Sequence, residues 1–252
     1  MKNTLLGLTG FALIAVSYGM ARFAWGLMLA DVMRDIAFTP QLAGILSGCS
    51  FFAYCIAILL APRLSAWAGP RMPALMSSLS AASGLLIIAV AGSQWLLGLG
   101  LFIAGLSAGF ASPALAAAVS QRISQRQQPK MNTIINAGTS AGIIISVPVL
   151  FWLPGGWRGA CLLFALLALL CAFPVWRFLP KDKTSARYGF FHGLLHQRAL
   201  HRLMAIAFFS GIISAAWWSF GPALLQTLGI KPGIISLLWM TAGAAGITGA
   251  LT

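Results

Sequence analysis

The sequence predicts an all-α integral membrane protein with about eight transmembrane helices. Three observations carry this reading. Of the 252 residues, 60% are hydrophobic and only 8% are charged, whereas a soluble domain carries about a quarter charged residues to cover its surface. Apolar stretches of about 20 residues, enough to cross the hydrocarbon core, recur along the whole chain. Within them the apolar residues do not alternate with polar ones, so helices rather than barrel strands must satisfy the backbone.

The spans are expected at 4–30, 41–61, 73–92, 96–120, 132–153, 159–179, 204–226 and 233–252. The first follows Lys2 and runs past Tyr18 towards Leu29, longer than the core of a signal peptide, and further spans follow it. The second and third flank Arg63 and Arg71, and the fourth and fifth flank Arg122, Arg126 and Lys130. The sixth contains the run LLFALLALLCAF without a strongly polar group, as a lipid-facing support would. The last two lie on either side of Lys231. Short connections make most neighbouring helices antiparallel.

Charge placement gives an orientation. Sixteen Lys and Arg residues face three acids, Asp31, Asp35 and Asp182, for a net charge of +13. With the N-terminus in the cytoplasm, twelve basic residues fall on that side (Lys2, Arg63, Arg71, Arg122, Arg126, Lys130, Arg177, Lys181, Lys183, Arg187, Arg198 and Arg202). Only Arg34, Arg158 and Lys231 fall opposite, and Arg22 lies within the first helix. This is the positive-inside pattern of a multi-pass protein of the cell (inner) membrane. No basic stretch is interleaved with aromatics on a soluble element, so nucleic acid is not an expected partner. Cys49, Cys55, Cys161 and Cys171 sit in apolar runs without metal-site spacing and read as small hydrophobes.

One connection is unlike the others. Residues 180–203 are long and basic, with Phe190, Phe191, Leu194, Leu195 and Leu203 set among Arg187, His192, Arg198 and Arg202, a pattern suited to the membrane interface. It divides the chain into a six-helix part, 1–179, and a two-helix part, 204–252. The second part echoes the first: Trp25 precedes Pro40 as Trp217 precedes Pro232, and Leu46 matches Leu238. The offset is about 190 residues, as in transporters built from internal repeats.

Six helices, a basic linker and a second half that begins like the first resemble the major facilitator superfamily of secondary transporters. Local motifs agree in part. The stretch Pro62-Arg63-Leu64-Ser65-Ala66-Trp67-Ala68-Gly69-Pro70-Arg71 is similar to the family loop G-x-L-x-D-R-x-G-R-R at Leu64, Gly69 and Arg71, with Ala66 and Trp67 departing from it. Gly138 and Gly142 resemble the start of the antiporter pattern g-x-x-x-G-P, with Ile143 in place of its proline. Trp157-Arg158 before the sixth helix is also similar to the family, while Leu101 stands where the fourth helix often has an arginine. The resemblance implies a fold of six plus six helices with alternating access around a midplane site, and no cofactor. It implies a conformational role for the loop bearing Arg63, Gly69 and Arg71. It also implies a complete chain of about 390 residues, of which this sequence would hold the first half and the start of the second.

Arg22 is the sharpest candidate for function, because a charge at that depth costs several kcal/mol unless it is paired or hydrated. At spacings of four and three, Tyr18, Arg22 and Trp25 share one helical face. That face would offer a cation and two aromatics to an anionic solute; alternatively Arg22 snorkels outward or meets a carbonyl. Asn132, Asn136, Thr139 and Ser140 form a polar stripe suited either to a water-filled cavity or to helix–helix hydrogen bonds. Trp217, with Trp218 and Ser219, would line the opposite wall or belong to an interfacial belt. Three glycine pairs at spacing four, Gly44 with Gly48, Gly105 with Gly109 and Gly138 with Gly142, read as close helix contacts. His192, His196 and His201 fall in the linker and read as solvated, not as a metal site.

An intramembrane enzyme would need a nucleophile with a histidine or carboxylate in reach, and the spans supply no such set. A nucleotide-binding loop is also absent from the sequence. The expectation is a secondary transporter of a small anionic organic solute; the alternative is a truncated, transport-incompetent membrane protein of the same fold. Substrate identity, coupling ion and oligomeric state have no signature in the sequence.

Overall fold

A computed structural model of the chain describes residues 2–183 and 198–251. Helix α1 comprises Lys2–Ile14, a π-helical stretch Ala15–Phe23, and Ala24–Asp35. It is followed by α2 (Pro40–Ala68), α3 (Arg71–Val90), α4 (Gln94–Arg122), α5 (Gln128–Trp152), α6 (Gly156–Phe178), α7 (Arg198–Thr227) and α8 (Pro232–Leu251). Among the described residues these eight helices are long and apolar enough to cross a membrane, and the chain is a multi-pass membrane protein.

The helices overrun the expected spans for a physical reason. Hydropathy drops at Asp31 and Arg34, yet α1 continues because Met28, Leu29 and Val32 on its other face are buried. In the same way α2 continues through Pro62, since Ala61 and Ser65 remain buried on one side. Helix α7 begins at Arg198, so the end of the expected linker is helical. The rest of that linker, with the stripe of Phe190, Phe191, Leu194 and Leu195 and with His192 and His196, lies outside the described residues. His201 is exposed on the first turns of α7.

In lipid, apolar side chains gain little by meeting one another, so close packing of small residues holds helices together. Ala53, Ala57 and Ala61 on α2 are fully buried, and across from them Gly105 and Gly109 of α4 press on the backbone of Ser50 and Tyr54. Helix α3 is set between α4 and α6: Gly84 abuts Ala104, and the Ser78 hydroxyl donates to the Ala168 carbonyl oxygen at 2.5 Å. Helix α5 lies on α1 through Gly138 and Gly142, against Phe11, Ala15 and Gly19. Two of the three expected glycine contacts are therefore present. The third is not: a Cβ on Gly44 or Gly48 would meet nothing within 4 Å. Both glycines face outward on α2, away from α4, because Ala43, Leu46, Ser47 and Ser50 occupy its inner face.

Helices α7 and α8 attach along one side. Gly26 of α1 admits the backbone of Trp218, and Ser140 of α5 abuts Gly246 of α8. A second core of Leu27, Ile143, Val147, Ile235 and Trp239 joins α1, α5 and α8. Most of α7 remains exposed.

Antiparallel connection sorts the charges to the two ends. One end carries Arg63, Arg71, Arg122, Arg126, Lys130, Arg177 and Lys181; the other carries Asp31, Arg34, Asp35, Arg158 and Lys231. At the second end the Trp157 indole N–H donates to Asp35 Oδ2 at 2.7 Å. There Arg158 Nη1 donates to the carbonyl oxygens of Ala89 and Ala91 at 2.9 and 2.7 Å, tying the start of α6 to the ends of α1 and α3.

Candidate functional site

Arg22 faces α2 at the middle of the bundle, opposite Tyr54, the central residue of α2. Its Cζ lies 4.3 Å from the centroid of the Tyr54 ring and 4.5 Å from that of Phe51. The rings of Phe23 and Tyr18 follow at 5.6 and 5.8 Å. Four aromatic faces thus surround one guanidinium. Each desolvated contact of this kind contributes up to about 2 kcal/mol, which offsets part of the cost of a charge at this depth.

The rings soften the charge without neutralising it. Arg22 Nε is buried and has no hydrogen-bond partner. All three acids of the chain are engaged elsewhere: Asp31 pairs with Arg34, Asp182 with Arg122, and Asp35 accepts from Trp157. The cage itself is braced from behind, where the Tyr18 and Ser112 hydroxyls share a hydrogen bond of 2.9 Å and the Tyr18 and Tyr54 rings meet edge to face at 6.3 Å. Chemically this is a half-buried cation with planar apolar walls and donors left over, a setting that favours a flat anion.

The local backbone explains how Arg22 is presented. Through Ala15–Phe23 the helix is π-helical, ending where the Ala24 N–H donates to the Gly19 carbonyl five residues back. Widened turns of this kind recur at functional sites. Inside it the Ser17 hydroxyl donates to the Leu13 carbonyl at 2.7 Å, a side-chain bond that competes with the backbone ladder. On the opposite side Gly19 lies directly on Gly142, so α5 backs this stretch with no side chain between.

All three residues of the expected face meet α2, Tyr18 and Arg22 at Tyr54 and Trp25 at Ser47. Tyr18 and Arg22 stay side by side, but Trp25 is only 4% exposed, and its indole N–H donates to Ser47 Oγ at 2.8 Å. Trp25 is thus a joint between α1 and α2. Trp25→Phe should lower thermal stability by about 1 kcal/mol, the worth of one buried hydrogen bond, and leave solute KM within about twofold; a melting series and an uptake curve check both.

The other sequence candidates take separate places. Asn136 of α5 is exposed, Asn132 and Thr139 are half-buried, and Ser140 lies against α8. Among the described residues this stripe adds no hydrogen bond or ring contact to the Arg22 cage. Trp217 is 46% exposed and stacks on Trp239 at 5.7 Å. Its neighbour Trp218 reaches the cage instead, 4.8 Å from Phe23. Phe23, Phe51, Tyr54 and Ser112 were not legible as a site, because each reads as one more apolar or small residue in a span. The only signal was the pair Phe51 and Tyr54, three apart and so on one face of α2.

The loop between α2 and α3 forms a clasp at the basic end. Gly69 has φ +79°, a conformation that side chains rarely adopt, and it lies against the backbone of Lys181. Arg71 Nε and Nη2 both donate to the Leu179 carbonyl, at 2.9 and 2.7 Å, and the Arg71 N–H donates to Pro180 O. Arg63 is exposed on α2, six residues before Gly69. Arg71→Gln removes a forked, charge-assisted pair of bonds and should lower stability by about 1.5–3 kcal/mol, read as a fall in melting temperature.

Comparison with known proteins agrees with this architecture. A family model described as Major Facilitator Superfamily matches residues 11–252. A protein of Pseudomonas aeruginosa named transcription regulatory protein OpdE is 26% identical over 261 residues, 97% of this chain and 63% of that protein. A gentisate transporter of Corynebacterium glutamicum is 24% identical over 275 residues, 98% of this chain and 62% of that protein. The chain therefore spans less than two thirds of the length of either relative. The crystal structure of a D-xylose-proton symporter superposes with a TM-score of 0.70 at 13% identity, covering 98% of this chain and 67% of that one. With the fold, the span pattern and the family model in agreement over nearly its whole length, the chain belongs to the Major Facilitator Superfamily.

Proposed function

We propose that this chain serves a secondary transporter that moves a small organic anion by alternating access, with Arg22 as the anion's anchor. The observation that carries the reading is an arginine at mid-bundle depth with four aromatic rings around it and no carboxylate on it. Such a charge is costly to keep and is retained where a ligand uses it. The walls favour a planar solute, and an aromatic carboxylate fits both demands. The relative named gentisate transporter gives this class support, since gentisate is a hydroxylated aromatic carboxylate. In this reading Asn132, Asn136, Thr139 and Trp217 meet the solute from α5 and α7 in another state of the cycle, and Gly69 and Arg71 belong to the device that sets that state. The basic end faces the cytoplasm, with the N-terminus inside and the inner membrane as host. The grouping of arginines and lysines at that end supports topology rather than contact with nucleic acid.

A second reading has its own support. Gly44 and Gly48 lie open on α2, and α7 is largely uncovered, so the 252 residues on their own would be a folded but transport-incompetent bundle. Uptake of labelled gentisate and other aromatic carboxylates into proteoliposomes tests both. Saturable uptake, inhibited by carboxylates and not by the matching amides, is the expected result. A well-folded chain that binds these acids and moves none of them favours the second reading. Failure to bind them at all overturns the assigned substrate class.

A further inference from the structure

The basic end of the bundle holds a cavity to which the transport reading assigns no ligand. It has a volume of about 560 Å³ and is lined by Asn3, Leu5 and Leu6 at the start of α1, by Arg71 and Arg122 at the facing ends of α3 and α4, and by Arg177, Phe178 and Leu179 at the end of α6. One wall is therefore apolar and another carries three guanidinium groups.

The charges there do not balance. Asp182 is the one acid of the chain at this end, and it pairs with Arg122 at 3.5 Å. Arg71 uses Nε and Nη2 on the Leu179 carbonyl, which satisfies donors but cancels no charge. Arg177 is exposed, with the Phe178 ring 5.7 Å from its Cζ. Among the described residues neither Arg71 nor Arg177 meets a carboxylate, so two positive charges converge on the cavity without a counter-ion. Forked donors of this type match the oxygens of a phosphate.

We propose that this cavity binds a phosphate group, and that the group is the head of an anionic glycerophospholipid whose glycerol and upper chain rest on Leu5, Leu6 and Phe178. A phosphate would neutralise Arg177 and the outer edge of Arg71 together, and so bridge α3 to α6 beside the clasp. Basic cavities between membrane helices at this level are suited to such headgroups. The site is far along the bundle from the Arg22 cage and stands or falls independently of the solute reading.

The test is thermal unfolding of the full-length protein in neutral detergent, titrated with phosphatidylglycerol, with phosphatidylcholine, or with inorganic phosphate at constant ionic strength. Phosphatidylglycerol should raise the melting temperature saturably where phosphatidylcholine does not. Arg177→Gln, a substitution at an exposed side chain outside the clasp, should weaken that effect about fivefold, the worth of one basic residue near an anionic headgroup; Arg177→Lys should retain most of it. Stabilisation by inorganic phosphate alone, still lost in Arg177→Gln, would keep the phosphate site and remove the lipid as its source. Equal stabilisation by both lipids with no effect of phosphate, or an unchanged response in Arg177→Gln, overturns the proposal.

Discussion

Arg22→Gln should reduce uptake of the carried anion by at least about thirtyfold, because removing one member of a buried charge pair costs roughly 2–5 kcal/mol. The same substitution should leave the melting temperature unchanged or raise it. Arg22 has an unpartnered Nε and no carboxylate, so glutamine relieves a desolvated charge and breaks no ion pair. Loss of function with no loss of stability is the signature of a residue kept for its ligand. Arg22→Lys should fall between, since a point charge attracts the anion but lacks the planar fork that meets two carboxylate oxygens. Uptake kinetics paired with melting curves for the three proteins decide the matter. A glutamine variant that transports normally, or that loses transport only because it unfolds, contradicts the assignment.

The second large effect is structural. Gly142→Ala should destabilise the bundle by about 3 kcal/mol, whereas Gly44→Ala should be neutral or stabilising by up to about 1 kcal/mol. The two positions look alike in sequence, each a glycine in an apolar helix with a partner four residues away. They differ in what a methyl would meet. At Gly142 it would strike the Ala15 carbonyl and the Gly19 backbone, forcing α5 off the widened turn that presents Arg22. At Gly44 it would meet nothing within 4 Å, so only the better helix propensity of alanine remains. Melting temperatures of the two variants of the 252-residue chain in the same detergent should therefore move in opposite directions. Equal shifts would contradict the α1–α5 contact.

What could be read in the sequence, and what could not, divides along physical lines. The eight spans were legible because crossing a bilayer imposes a length and a composition that few other structures share. Their ends were not, since Asp31 and Pro62 look like stops while the buried faces of Met28, Val32 and Ala61 carry the helices onward. Arg22 was legible as the one charge deep inside a span, but its neighbours were not. The π-helical turns of Ala15–Phe23 that present it, with the Ser17 back-bond and the Gly19–Gly142 contact, have no signature in an apolar run. Phe51 and Tyr54 come from another helix, and although their spacing puts them on one face, it does not mark that face as the one that meets a distant arginine. The clasp is an intermediate case. Gly69 and Arg71 stood out by resemblance to a family loop, but their partners, the carbonyls of Leu179 and Pro180, are backbone atoms with no sequence signature.

The central claim is that the Arg22 guanidinium receives the carboxylate of the solute. Equilibrium binding of an aromatic carboxylate and of its isosteric amide, to the wild-type protein and to Arg22→Gln, tests it most directly. The account predicts that the wild type prefers the acid by about a hundredfold and that the variant binds acid and amide with similar, weak affinity. A variant that keeps the full preference for the acid would place the anion on some other group and contradict the account.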